Sequence, residues 1–491
     1  MTNLAQRFDE TAARLADRAA VVEAERAWSY AQLRQASEAI GRQLERDGCG
    51  PGVRVALVLP NAAAFCAAFF AVARIGAVVA PMNSRYGTQD LEYYLARSEA
   101  AALLVPPSLV ETAAAVIRQL PAAPSLFAVD ESCRARALAE RQDDAVVLQC
   151  ATEDPLLQQY TSGSTGAPKG VVRGHRQLTF ELESLGTALK VTEADRFLGV
   201  APFSHVNGLV RSMMLSLFSG AALFPRAAFD RRGILQLLTE KRLTVFGGVP
   251  QMFVALAGTP LREPVDLSAL RIAFSASAPL LPEDNLRFHD KFGLVIRQLY
   301  GSTETGTISV NLDDDPRASL ASVGRALPGV EVRILNEDHG PVPAGEEGEV
   351  AIASPAGIHA YADGDADRGA AFFDGFYLSG DLGFMAPDGA ITLTGRKKFL
   401  INRGGYKVNP QEVERAIASF SKVDQVVVYG KKGRHGDDSV ACVVVPKESC
   451  TEIEILEHCR GKIADFKIPS FIAFRESLPL SETGKVLRHK L

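Results

Sequence analysis

Tyr160-Thr161-Ser162-Gly163-Ser164-Thr165-Gly166-Ala167-Pro168-Lys169-Gly170 packs three glycines, four aliphatic hydroxyls and one lysine into eleven positions. Glycine lets a backbone turn tightly and bring its N–H groups close to a ligand. The hydroxyls add donors, and the lysine adds a point charge. Such a loop is suited to cradling a polyphosphate. A Ser/Gly linker is the alternative. Linkers rarely embed Pro-Lys-Gly, however, and are not usually flanked by apolar runs such as Leu156-Leu157 and Val171-Val172. The pattern G-x-x-x-x-G-K-[ST], started at Gly163, meets Pro168 where it needs glycine and Gly170 where it needs Ser or Thr for magnesium. The loop therefore belongs to a different class of phosphate site.

On both sides of the loop, strand-like runs alternate with helical ones. Before it, helical spacing covers 4–15, 30–47 and 91–98, with strands at 53–59, 76–81 and 101–105. After it, strands are expected at 196–201, 221–224, 245–249, 270–275 and 295–300, with helices at 208–218, 233–240 and 282–292. That alternation predicts an α/β fold, with doubly wound parallel sheets covered on both faces. From about residue 321 to 395 short strands and turns take over, which suggests a small β-barrel-like subdomain. Past Gly395-Arg396-Lys397-Lys398, the run Asn409-Pro410-Gln411-Glu412 reads as a helix start: Asn caps, Pro is first, Glu is third. The expected layout is a large domain over 1–395, a connection at 396–398 and a small α+β domain over 399–491.

At 491 residues the chain is too long for one compact core. Apolar residues at 47% and charged residues at 23% fit an ordinary globular protein, and a net charge of −5 argues against a nucleic-acid partner. Seven cysteines without a CxxC pair read as reduced thiols in a cytoplasmic protein. Residues 1–20 lack an apolar signal core. The most apolar run, 62–81, is broken by Arg74 and Gly76, and reads as a buried helix entering a strand, with no membrane span expected.

Three further motifs carry polar chemistry. Tyr300-Gly301-Ser302-Thr303-Glu304-Thr305-Gly306 follows a strand, at the end where open α/β sheets bind ligands. Thr303 offers a hydroxyl to a phosphate, Glu304 a hard oxygen to Mg²⁺, and Tyr300 a flat face to a purine. Asp381, in Ser379-Gly380-Asp381, can accept from both hydroxyls of a ribose, although alone this tripeptide reads as a turn. Lys485, in Thr483-Gly484-Lys485, would alone read as a solvated surface charge.

Together these stretches resemble the adenylate-forming enzymes, among them acyl-CoA synthetases and peptide-synthetase adenylation domains. The resemblance covers nearly the whole chain, including Trp28-Ser29-Tyr30 and Val323-Gly324-Arg325. It implies that Thr161, Ser162, Gly163, Ser164, Thr165, Gly166 and Lys169 hold the ATP phosphates. It also implies that Tyr300 stacks on adenine, Thr303 touches phosphates, Glu304 holds Mg²⁺, and Asp381 with Arg396 binds the ribose. Lys485 then offsets the repulsion as a carboxylate attacks the α-phosphate. Lys398 matches the hinge between an adenylating and a thioester-forming orientation, the second of which brings Gly404 and Gly405 to the pantetheine arm of CoA. Lys431, Lys432 and Arg434 either meet CoA phosphates or are plain solvated charge.

The acyl pocket implied by the same resemblance is lined by His205, Asn207, Gly247, Ser275, Ala276 and Gly301, with His205 either gating the acid or filling core. Ala276 and Ser277 stand where a Gly pair is common. No Asp occurs in the His205 segment, which argues against an amino-acid substrate. Arg211, inside an apolar helix, either receives a second carboxylate or polar tail or makes an internal salt bridge. The expected reaction joins a small carboxylic acid to CoA with MgATP, through an acyl-AMP and without a covalent enzyme intermediate. Loading of a separate carrier protein and a non-catalytic nucleotide-binding relative are the alternatives. The sequence leaves the acid and the oligomeric state, a homodimer included, open.

Overall fold

The computed structural model describes residues 3–24, 26–139, 154–161, 168–261, 263–313, 315, 317–362, 371–403, 406–432, 438–479, 486–487 and 490–491. The chain divides into two compact units. The first comprises Met1–Leu320, Leu327–Glu331 and Ala353–Gly369; the second, Ala321–Ala326, Val332–Ile352 and Ala370–Leu491.

The first unit contains two α/β sheets. One has the strand order Ala135–Ala139, Ser125–Val129, Ala102–Val105, Arg54–Leu57, Val78–Pro81, Pro155–Thr161, Lys169–Gly174. Its five inner strands are parallel, and the strand at each end is antiparallel to its neighbour. Helix Ala63–Arg74 is buried along its whole length up to Ala73 and terminates at Arg74. Arg74 reaches Asp9 with two 2.6 Å hydrogen bonds, a bidentate pair that accounts for a charge at the end of an apolar run. Among the described residues no helix is long and apolar enough to cross a membrane.

The other sheet runs Gly306–Val310, Arg297–Ser302, Ile272–Ser275, Val245–Gly248, Arg196–Gly199, Ala222–Pro225, Ala19–Val22, Ala27–Ser29. Again the middle is parallel and the terminal pairs are antiparallel. Its core gathers Leu198, Phe224, Phe246, Phe253, Leu256 and Phe288 against the helices Arg231–Glu240, Pro250–Ala257 and Pro282–Phe292. The helix expected over 208–218 is interrupted. Val206–Gly208 opens it, Leu209–Met214 forms a π turn, and Leu215–Phe218 closes it. Such turns are rare and cluster at functional sites.

In the second unit the strands Glu331–Leu335, Gly348–Ala353, Phe376–Met385, Ile391–Arg396 and Ser322–Ala326 pair in that order. They do not close on themselves among the described residues, so the barrel-like expectation is corrected to an open sheet. Short strands and turns look alike in open and closed sheets, because closure is set by pairing between distant strands. The remainder of this unit is a three-stranded sheet, Val423–Lys432, Asp438–Pro446 and Phe471–Phe474, packed with helices Pro410–Ala418 and Glu452–Cys459 around Val413, Ile417, Val428, Cys442 and Ile455. Asn409 caps the first helix by accepting from Gln411 N–H at 3.1 Å, with Pro410 at the first helical position.

Candidate active site

In the first unit, both predicted ligand motifs stand at antiparallel strand pairs where a parallel sheet reverses direction. Thr161 pairs with Lys169 as the last rung of one hairpin. The loop between them, with Ser162, Gly163, Ser164, Thr165 and Gly166, lies outside the described residues. Ser302 pairs with Gly306 as the last rung of the other, enclosing Thr303, Glu304 and Thr305. That turn is tied by Thr305 N–H donating to Ser302 Oγ at 3.2 Å. It is released by Gly306 at φ +73°, where a Cβ would meet Glu181 Oε2 at 2.8 Å. Glycine is required there for both reasons.

The two hairpins converge on Glu304. Its Oε1 accepts from Thr161 Oγ1 at 3.4 Å and from Tyr361 O–H at 3.1 Å. Lys169 Nζ lies 4.8 Å from the centre of the Tyr361 ring. The backbone repeats the link: Ile358 N–H donates to Glu304 C=O and Ala362 N–H to Gly170 C=O, each at 2.8 Å. Residues 357–362 thus form a strap joining the Thr161–Lys169 strand pair to the Glu304 turn. Tyr361 was not legible in the sequence, since nothing in its neighbourhood has strand or helix periodicity. Tyr300 is buried in its strand, and Thr303 is half-buried at the turn.

Beneath the Glu304 hairpin lies a buried ionic network. Arg173 Nη1 donates to Glu181 Oε2 at 2.6 Å, and Thr307 donates to Glu181 Oε1 from both N–H, at 2.8 Å, and Oγ1, at 2.7 Å. Arg211 Nε donates to Thr307 Oγ1 at 3.0 Å and stands 4.0 Å from Glu181. Burial alone would raise the Glu181 carboxyl, but Arg173, Arg211 and the Thr307 hydrogen bond together hold it below its ordinary value. Glu181 had a sequence signal: in helix His175–Ala188 it falls on the same face as the buried Leu178, Leu182 and Leu185.

The predicted acyl-pocket residues gather at the carboxyl ends of three neighbouring strands. Gly247 and Gly248 pair with Phe274 and Ser275, and Ser275 pairs with Gln298, two residues before Tyr300. Asn207 Nδ2 donates to Gly248 C=O at 3.1 Å, and Ala276 N–H to the same oxygen at 3.1 Å. His205 is half-buried and precedes the first turn of the interrupted helix, so it is not a core histidine. Ser277 adopts φ +75°, a left-handed conformation that costs a serine about 1 kcal/mol and that glycine takes freely.

In the second unit, Asp381 and Arg396 are register partners on antiparallel strands. Arg396 Nε donates to Asp381 Oδ1 at 2.5 Å, and Asp381 N–H donates to Ser379 Oγ at 3.0 Å. Glu349, not singled out from the sequence, steadies this turn by accepting from Gly380 N–H at 3.1 Å and Lys397 Nζ at 2.8 Å. Lys398 lies in the 3₁₀ turn Lys397–Phe399 directly after the strand bearing Arg396. Lys432 pairs with Asp438 at 3.2 Å, and Lys431 packs over the Phe471 ring at 4.3 Å. Gly404, Gly405, Arg434 and Lys485 lie outside the described residues.

Among the described residues no three His, Cys, Asp or Glu side chains gather into a metal cage. The single carboxylate of Glu304 suits Mg²⁺ as nucleotides carry it, held by one protein oxygen and several from phosphate and water.

A sequence model of the AMP-binding enzyme family matches residues 8–362, and one of the AMP-binding enzyme C-terminal domain matches 412–485. The chain belongs to the AMP-binding enzyme family. Among relatives, this AMP-binding enzyme is 31% identical to the probable CoA ligase CCL9 of Humulus lupulus, over 98% of this chain and 94% of that one. It is 32% identical to a feruloyl-CoA synthase of an Amycolatopsis species, over 94% and 93% respectively. Among solved structures, ATP-bound MatB from Rhodopseudomonas palustris superimposes with a TM-score of 0.90 at 27% identity, covering 100% of this chain and 98% of that chain. The AMP-binding enzyme therefore has the α/β fold of the adenylate-forming superfamily, with sheets in a large N-terminal part and a smaller C-terminal domain.

Proposed function

We propose that this AMP-binding enzyme is an acid–CoA ligase that converts a carboxylic acid, ATP and CoA to acyl-CoA, AMP and pyrophosphate. The observation that carries the reading is the convergence of Thr161 and Tyr361 on Glu304, where two hairpins meet, with Lys169 over the Tyr361 ring. One carboxylate and one ammonium on the two sides of Tyr361, at the base of a hydroxyl- and glycine-rich loop, supply the donor set that a metal-bound triphosphate requires. Mg²⁺ held by Glu304 would neutralise phosphate charge. Lys169 and the loop hydroxyls bind the β- and γ-phosphates, Tyr300 the adenine, and Asp381 with Arg396 the ribose.

In the first half-reaction a carboxylate oxygen of the acid bonds to the α-phosphorus, the bond to the bridging oxygen breaks, and pyrophosphate leaves. Lys485 stabilises the anions brought together in that step. In the second, the CoA sulfur bonds to the acyl carbon, AMP leaves, and the thiol proton is lost to solvent. Reorientation about Lys398 carries Lys485 away and brings Gly404 and Gly405 to the pantetheine arm. Among the described residues the six cysteines form no disulfide, which fits a cytoplasmic setting.

The test is Lys485→Ala. Acid-dependent exchange of label between pyrophosphate and ATP is expected to fall by about 10²–10³-fold, while CoA still converts a supplied acyl-AMP to thioester. Undiminished exchange would remove the assigned role. AMP release with a phosphopantetheinyl carrier but not with CoA would replace CoA as the acceptor.

A further inference from the structure

We propose that the acid activated at this site is a short dicarboxylic acid whose second carboxylate is received by Arg211. The inference rests on the acid–CoA ligase reading and adds the substrate class. Arg211 is 1% exposed, and its Nη2 has no hydrogen-bond partner among the described residues. That nitrogen lies against Gly301, where a Cβ would come within 2.3 Å of it. Gly301 is two residues from Thr303 in the same hairpin, a span of at most about 7 Å. An anion on Arg211 is therefore only a few carbons from a carboxylate presented at the phosphate-facing turn.

The internal salt bridge is incomplete. Both oxygens of Glu181 are already engaged, one by Arg173 at 2.6 Å and the other by the N–H and hydroxyl of Thr307. Arg211 reaches Glu181 only at 4.0 Å and spends its Nε on a neutral hydroxyl. Among the described residues two guanidinium groups thus share one carboxylate in a fully buried setting, leaving one positive charge over. Burial pushes the Arg211 guanidinium down to about 10, so it stays protonated at neutral pH. An uncompensated buried cation is costly, and a substrate carboxylate supplies the missing partner.

The neighbouring wall is polar as well. Asn207, four residues before Arg211, has its Nδ2 fixed on Gly248 C=O, and its Oδ1 has no partner among the described residues. The same is true of Ser275 Oγ, on the residue that pairs with Gly248. A plain alkyl chain would leave all three groups desolvated and unmatched.

The experiment is pyrophosphate release by the full chain with ATP and CoA. The acids are dicarboxylates of about three to six carbons, their monomethyl esters and monocarboxylates of matched length. The wild type is expected to show kcat/KM at least about tenfold higher for a dicarboxylate than for its ester or its matched monocarboxylate. Arg211→Gln should bring that ratio towards one, chiefly through KM, and Arg211→Lys should restore part of it. Wild-type preference for the ester or the monocarboxylate overturns the proposal without any variant having to fold. So does a dicarboxylate preference that survives Arg211→Gln. If no acid of either set releases pyrophosphate while an aryl or longer-chain acid does, the dicarboxylate proposal falls and the ligase reading stands; if no carboxylic acid of any class does, the ligase reading itself falls.

Discussion

His175 opens the helix that bears Glu181, and it is fully buried. Its Nδ1 accepts from the N–H of Leu4, at the start of the N-terminal helix, at 3.2 Å. A ring nitrogen that accepts cannot also carry a proton, and burial lowers this imidazole from 6.5 to about 4, with Asp154 opposing only in part. Between those two values the unfolded chain takes up a proton that the folded chain refuses. Stability therefore falls as pH drops from 6.5 towards 4, by on the order of 3 kcal/mol in full, and this contribution is constant below 4. Denaturant titrations of wild type and His175→Gln across that range check it: the difference between their unfolding free energies should change with pH in that window and not above it. At this scale some residues were legible and others were not. Glu304, Asp381 and Arg396 stand in motifs whose residue types dictate their chemistry. Arg211 stood out as a charge in an apolar run. Tyr361 and Glu349 did not, because each acts on a partner 57 or 31 residues away, a distance at which sequence spacing carries no information.

Among elements, the inner strands were the most readable, since strands buried on both faces are short apolar runs. The helix His175–Ala188 was missed: His, Arg, Gln and Thr in its first turns mask the periodicity of Leu178, Leu182 and Leu185. The interruption of the Val206–Phe218 segment was also invisible, because a π turn leaves the apolar pattern nearly unchanged. The strap over 357–362 belongs to no repeating element, yet it bonds to both hairpins. Its side-chain contribution is testable with Tyr361→Phe. Loss of a hydrogen bond to a carboxylate, worth about 1.5–3 kcal/mol, should lower acid-dependent pyrophosphate exchange by about tenfold or more with little change in melting temperature. Unchanged exchange and an unchanged KM for MgATP would leave Tyr361 as packing alone.

For the whole molecule, size and composition already called for more than one domain, and the alternating pattern gave the α/β class. Closure of the later strands could not be read, because it depends on which distant strands pair. The 3₁₀ turn Lys397–Phe399 is the natural place to test a two-orientation cycle. Lys398→Pro fixes one φ and restricts the preceding residue. Pyrophosphate exchange should be largely retained while conversion of supplied acyl-AMP to thioester falls by about tenfold or more; equal losses in both steps would argue against a swivel at this point.

The reversal of strand direction at Thr161–Lys169 and at Ser302–Gly306 has an evolutionary corollary. Each of these rungs ends a two-stranded ribbon, so residues can be gained or lost beyond it without shifting the alignment of the parallel strands behind. Tips of this kind can diversify while the scaffold beneath them stays frozen.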